Sequence, residues 1–372
     1  MGTPALGCRK MGATTGSVAP LARCFGDMSL RSLAPLLALA AQTSCTTPRA
    51  SVGGRAANPA AVPAATPAAT GATIATAPPP AAQNPSPMVE GTRRHARVAP
   101  HPLDTRETRI AGLLPREVEL HLPRTIDPRF PVPLLVHFLG PAYLAVDAAR
   151  SALPASPNGM AVAVVNLSPG SAAYERPFRD PATWRALLDS VSLAAQRLAG
   201  APLTVDDVYL SAFSAGNGAV RAILAQQADS RAAPRSGGAA RLRGILILDG
   251  IHTGYRPERR VLADGGALDP APLQALLRFA RRAVAGEVRM VVTHSDVFPG
   301  TFASTTETAT WLLDQLGVGR TPVLAWGPNG MQQTSEARRG GLLVLGFAGN
   351  SAPDHLDHLH ALPAWLRLLT NP

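Results

Sequence analysis

The chain has 372 residues, 46% of them apolar, and a formal net charge of +10. That length admits one large domain or two, and a compact unit of about 300 residues hides roughly 75% of its unfolded surface, so a sizeable core is available. Of the 35 basic residues only Lys10 is a lysine. The arginines are scattered among acids with no basic block longer than a pair, which argues against a nucleic-acid partner despite the charge. The three cysteines, Cys8, Cys24 and Cys45, all fall in the first 45 residues. A disulfide scaffold, a thiolate zinc site and a cysteine nucleophile are therefore excluded for everything downstream.

In chain order the first feature is a leader. From Met28, a possible true start, Arg31 precedes a short apolar run over 33–41 and then small polar residues up to Cys45. This is the layout of a secretory signal, and the run is far short of the ~20 residues that span a bilayer. The end of the run resembles a bacterial lipoprotein cleavage site, with Gln42, Thr43 and Ser44 before Cys45. The resemblance implies lipidation at Cys45; the alternative is an ordinary cleaved signal. Either way the expectation is export, to the cell envelope on a lipid anchor or into the medium. Membrane contact is expected only through that anchor.

Residues 46–90 hold 14 Ala, 9 Pro and three charges, with no aromatic residue. Such a segment cannot bury enough apolar surface to offset its ordering entropy. Its prolines make a semi-stiff spacer, so the expected organisation is a leader (1–45), a disordered linker (46–90) and one folded domain (91–372).

Within that domain, Val118, Leu120 and Leu122 alternate with polar residues, as in a half-buried strand. Continuous apolar runs follow at 133–136, 160–165, 208–210, 244–248, 290–292 and 342–347. Runs of this kind fit strands covered on both faces in a parallel sheet. Leu187, Leu188, Val191, Ala195 and Leu198 form one helical stripe, and Leu273, Leu276, Leu277 and Ala280 another. Ser304 with Glu307 makes a capping box ahead of a helix through Trp311. Strand–helix alternation over this length predicts an α/β fold with a doubly wound, mostly parallel sheet. Trp184, Trp311, Trp326 and Trp365 are expected in core packing.

The most informative stretch runs from Val208 through Ser211, Ala212, Phe213, Ser214, Ala215 and Gly216 to Gly218. A buried strand enters a turn of small residues and leaves as a helix, with Ser214 at the turn. This resembles the G-x-S-x-G nucleophile elbow of the α/β-hydrolase superfamily, with Ala212 in place of the first glycine. Small flanking residues are needed because the turn is tight and packs against neighbouring backbone.

The resemblance covers about residues 105–370. It implies an oxyanion hole made by the amide after the nucleophile, Ala215, and one from the turn after the third strand. That turn reads His137-Phe138-Leu139-Gly140, which points to Leu139. His137 itself is expected as a core histidine without a proton-transfer role. The acid and then the base follow the nucleophile in chain order. His355 is the leading base and His358, one helical turn later, the alternative; His360 points elsewhere. Asp296, after the run that ends at Val292, is the leading acid, with Asp249 the alternative.

Three His and two Asp within 354–360 also form a dense ligand set. Their spacing fits neither H-E-x-x-H nor a related metal motif, so no metal and no cofactor are expected. The implied activity is hydrolysis of a carboxylic ester, on a small molecule or a polymer, through an acyl-enzyme. The alternative from another class is a non-catalytic exported binding lipoprotein on the same fold.

Overall fold

The computed structural model describes residues 99–153, 156–227 and 240–371. The expected leader, Cys45 and the 46–90 linker lie outside the described residues. The elements run β1 (Thr105–Ile110), β2 (Val118–Pro123), β3 (Val132–Phe138), α1 (Ala142–Ala152), β4 (Ala161–Val165), α2 (Ser171–Glu175), α3 (Pro181–Ala199), β5 (Val205–Phe213) and α4 (Asn217–Gln227). Then come β6 (Arg241–Leu248), β7 (Tyr255–Arg256), β8 (Ala267–Leu268), α5 (Gln274–Val284), β9 (Arg289–Ser295), α6 (Thr305–Leu316), β10 (Thr321–Trp326), β11 (Gln332–Arg339), β12 (Leu342–Phe347), α7 (Ala352–His360) and α8 (Leu362–Thr370).

Ten strands form one sheet in the order β1-β2-β4-β3-β5-β6-β9-β12-β11-β10, and β7 pairs with β8 in a separate ribbon. The six central strands, β4 to β12 in that order, are mutually parallel. The edges are antiparallel: β1 and β2 on one side, β10 and β11 on the other.

The apolar runs read in the sequence are the central strands, and their alternation splits the core in two. Leu134, Val136, Ile245, Ile247, Met290 and Val292 face one layer with α3, α4, α5 and α6. Leu135, Leu246, Leu248 and Val291 face the other, against α1, α7 and α8. Helices on both faces are the reason these strands read as continuous apolar runs. Each fully buried Leu or Ile contributes about 1.5–3 kcal/mol, so the sheet centre is the stable frame on which strand-end residues are held.

The Ser304–Glu307 capping box opens α6 as expected. Trp184 and Trp365 are buried, and Trp311 is half-buried. Trp326 is not a core residue: it lies 78% exposed on the edge strand β10. No helix among the described residues is long and apolar enough to cross a membrane.

Candidate active site

The C-terminal ends of β5, β6 and β9 and the start of α7 converge on one cleft. Ser214 follows β5 directly and has φ 48, a left-handed conformation that is uncommon outside glycine and marks a strained turn. The glycine two residues on is required by close approach. A Cβ at Gly216 would sit 2.4 Å from the carbonyl oxygen of Phe138 at the end of β3. Ala212 is fully buried within β5. Ser214 and Ala215 both line the cleft. Ala215 stands in the first turn of the helical segment, where amides have no intrahelical acceptor.

His355, near the start of α7, also lines the cleft. Its Nδ1 is 2.7 Å from Asp249 Oδ2, and its ring stacks at a tilt on Phe213 with centroids 4.5 Å apart. Asp249 ends β6 in another left-handed turn, φ 42. Its carboxylate is cradled on every side. Oδ1 accepts from the Ser295 amide at 2.9 Å and from the Thr305 hydroxyl, and Oδ2 accepts from Ser295 Oγ at 2.6 Å. Burial alone would raise this carboxyl. The neighbouring His358 and His355, and the hydrogen bonds from His355 and Ser295, outweigh burial and hold it well below the usual carboxylate range. At neutral pH, where His358 is itself uncharged, the donated hydrogen bonds carry that effect.

The structure therefore pairs His355 with Asp249, not with Asp296, the leading expectation. Asp296 is exposed, and its Oδ1 takes a 3.2 Å hydrogen bond from Thr306. The physical reason is position: the strand end at β9 delivers Ser295, one residue earlier, inward onto Asp249 and turns Asp296 outward.

His358 is fully buried, with Nδ1 2.7 Å from Thr293 Oγ1 and its ring edge-on to Phe347. Burial pushes its pKa down to about 4, and it does not line the cleft. His360 lies 3.5 Å from Asp357. Asp354 caps α7 through the Ser351 amide and hydroxyl. Within the dense 354–360 cluster Asp357 and His360 meet each other, while Asp354, His355 and His358 turn to separate partners. Among the described residues no three His, Cys, Asp or Glu side chains are placed to hold a metal ion.

The expected Leu139 donor is corrected. Leu139 has φ 68, and its amide donates to Val165 O at 3.2 Å, prolonging the β3–β4 ladder. The next amide, Gly140, donates to Asn166 Oδ1 at 2.9 Å. Both amides of this turn are engaged within the protein. His137 is fully buried, bonded through Nδ1 to Ser211 Oγ at 2.7 Å. Burial pushes its pKa down to about 4, which suits a core histidine.

A parallel sheet wound by helices on both faces carries a left-handed serine at a strand–helix turn. A carboxylate and then a histidine follow it in chain order and meet beside it. The fold is of the α/β-hydrolase type. The Ser295 and Thr305 hydroxyls that bond Asp249 carry no signature of their own in the sequence. Ser295 reads only as the neighbour of Asp296, and Thr305 only as part of the helix start at Ser304.

The sequence matches no protein-family model and no curated protein. Among solved structures, an uncharacterised protein from Capnocytophaga ochracea is 13% identical, with 70% of this chain and 63% of that one covered and a TM-score of 0.40. A thermostable esterase is 13% identical, with 70% and 60% covered and a TM-score of 0.38. This chain thus spans 63% and 60% of the length of those two proteins. A truncated carbohydrate esterase from gut microbiota is 9% identical, with 72% and 98% covered and a TM-score of 0.41. Strand order and side-chain geometry, rather than these likenesses, carry the fold assignment.

Proposed function

We propose that the protein is a serine hydrolase that cleaves a carboxylic ester through an acyl-enzyme. The observation that carries this reading is the 2.7 Å contact between His355 Nδ1 and Asp249 Oδ2, made in the same cleft as a serine on a left-handed turn. With Nδ1–H donated to the carboxylate, Nε2 of His355 is the free base. Ser214 lines the same cleft and carries the hydroxyl from which this base would take a proton. Serine–histidine bonds of this kind often tighten only when substrate is bound.

In the proposed reaction Ser214 Oγ attacks the ester carbonyl and His355 Nε2 takes its proton. Asp249, ionised and tightly bonded, orients the imidazole and stabilises its cationic form. The Ala215 amide, at the positive end of the helix that follows, supports the oxyanion. Collapse of the tetrahedral species expels the alcohol, protonated by His355. Water, deprotonated by the same histidine, then releases the carboxylic acid.

The test is a fluorophosphonate probe followed by peptide mapping. Stoichiometric labelling at Ser214, lost in Ser214→Ala, is the expected result. An unlabelled, folded protein that hydrolyses no ester would overturn the reading in favour of a binding protein on the same fold.

We also propose export with lipid at Cys45, supported by the leader sequence. Intact mass from a bacterial host should show loss of the residues before Cys45 and added acyl chains; a mature chain that retains the leader refutes it.

A further inference from the structure

The cleft holds about 1080 Å³, and the chemistry above uses only one side of it. His252, three residues beyond the Asp249 turn, is half-buried and lines the cleft with Ser214 and His355. Neither of its ring nitrogens has a hydrogen-bond partner among the described residues. Nδ1 is sealed from solvent, so Nε2 is the nitrogen left to meet a ligand. His252 thus presents one ring nitrogen, Nε2, to the cleft with no protein group in front of it.

The ring is held in place rather than loose. Its edge packs on Phe302 at 5.2 Å and 81°, and its carbonyl accepts from Arg221 Nη1 at 3.2 Å. On either side, Thr308 Oγ1 donates to Ile251 O at 2.8 Å and Ala303 N to Thr253 O at 2.9 Å. Burial, aided by the Arg221 guanidinium and opposed by the Asp249 carboxylate, pushes the His252 pKa down to about 4. The imidazole is therefore neutral at pH 7, and its one accessible nitrogen, Nε2, acts as donor or acceptor according to the tautomer.

The wall beside it is apolar. Phe298 and Phe302 are 55% and 37% exposed, and Val297, Pro299 and Pro272 extend the same surface. Exposed aromatic rings at the mouth of a concave site are the usual material of a ligand pocket. The two fully charged lining residues are already paired. Arg221 is held by Glu175 at 2.7 Å, and Asp249 by His355, Ser295 and Thr305. No unpaired ion is left among the described lining residues to receive a charged substrate group.

We infer that this cleft selects uncharged esters. A ring-bearing, apolar part of the substrate lies against Phe298 and Phe302, and a hydroxyl or carbonyl on that part hydrogen-bonds to His252. The inference rests on the serine-hydrolase reading and gives it a substrate class.

The experiment measures kcat/KM of the full chain on matched esters whose ring carries hydrogen, hydroxyl or carboxylate. The ring is placed once in the acyl part and once in the alcohol part. In at least one of the two series the wild type should favour hydroxyl over hydrogen by about fivefold, the worth of one net hydrogen bond to His252 Nε2. The carboxylate ester should be the poorest substrate. His252→Phe should bring the hydroxyl-to-hydrogen ratio to about 1, while His252→Gln, with an uncharged donor and acceptor, should keep part of the preference. Because the readout is a ratio within one enzyme, a partly unfolded variant does not mimic the effect. A wild-type ratio near 1 in both series, a preference for the carboxylate ester, or a ratio that survives His252→Phe each overturns the inference. Those outcomes leave the serine-hydrolase reading standing when turnover still requires Ser214. Absence of Ser214-dependent turnover on every ester overturns both.

Discussion

Asp249→Asn is the sharpest perturbation of the site, because the surrounding donors dictate how the amide must lie. At the Oδ1 position the backbone amide of Ser295, 2.9 Å away, is a donor that cannot turn round. The asparagine carbonyl must therefore take that place, with Thr305 as its second donor. The NH2 group is then forced into the Oδ2 position, 2.7 Å from His355 Nδ1. The Ser295 hydroxyl there, at 2.6 Å, can rotate and accept. His355 Nδ1 has no such freedom: facing an N–H it must become the acceptor, which moves the ring proton to Nε2. A histidine protonated at Nε2 cannot receive the Ser214 proton. The expected loss is about 10⁴-fold in kcat, the magnitude that a tautomer error of this kind produces, or about 5 kcal/mol in the barrier. Asp296→Asn should stay within about twofold to threefold, because this exposed carboxylate, bonded to Thr306, touches none of these groups. The assay is ester hydrolysis by both variants at pH 7 and 25 °C, with thermal melts to confirm folding. Near-wild-type turnover by Asp249→Asn together with a large loss in Asp296→Asn would refute the reasoning and restore Asp296 as the acid.

Ser214→Ala should lower ester turnover by about 10⁴–10⁶-fold, since the remaining oxyanion donor and binding still act; its melting temperature should barely change, and a calorimetric scan checks this. Gly216→Ala should lose activity and about 1–3 kcal/mol of stability, because the new Cβ meets Phe138 O at 2.4 Å. Urea titrations would show it, and an unshifted midpoint contradicts the close approach. Acid should destabilise the fold well above the carboxylate range. Burial lowers His137, His294 and His358 to about 4, 3 and 4, while the unfolded chain protonates near 6.5. The unfolded state thus binds more protons below that pH, so stability falls as pH falls. Each of these groups removes stability progressively as the pH falls below about 6.5. Urea midpoints measured at pH 7, 6 and 5 should drop steeply, and a flat profile sinks the argument.

What the sequence by itself determined is local. Apolar runs between turn residues mark the central parallel strands, because strands covered on both faces have no polar side to alternate. The elbow is legible because its demands are met within five residues: a buried strand, a serine between Ala212 and Gly216, and a helix start. His355 is legible from its place after the last apolar run. The antiparallel strands β10 and β11 left no such trace. Gln332 to Arg339 reads as polar chain, and the apolar stretch of β10 lies mostly exposed at the sheet edge, so neither shows the run of a strand covered on both faces.

The tertiary structure decided everything that depends on which strands are neighbours. Asp249 and His355 are 106 residues apart, and two strand ends each offered a carboxylate. Only the adjacency of β6 and β9 shows that β9 supplies Ser295 as a donor while the end of β6 supplies the carboxylate that meets His355. Leu139 looked free as an oxyanion donor until the β3–β4 pairing carried its amide to Val165. His252 had no motif at all, since an unpartnered nitrogen in a cleft is a property of what surrounds it in space. A strand's periodicity is written in its own residues. The hydrogen-bond partner of a strand-end group is set by sheet order and by the backbone dihedral at the turn, and neither is written in the residues on either side of it.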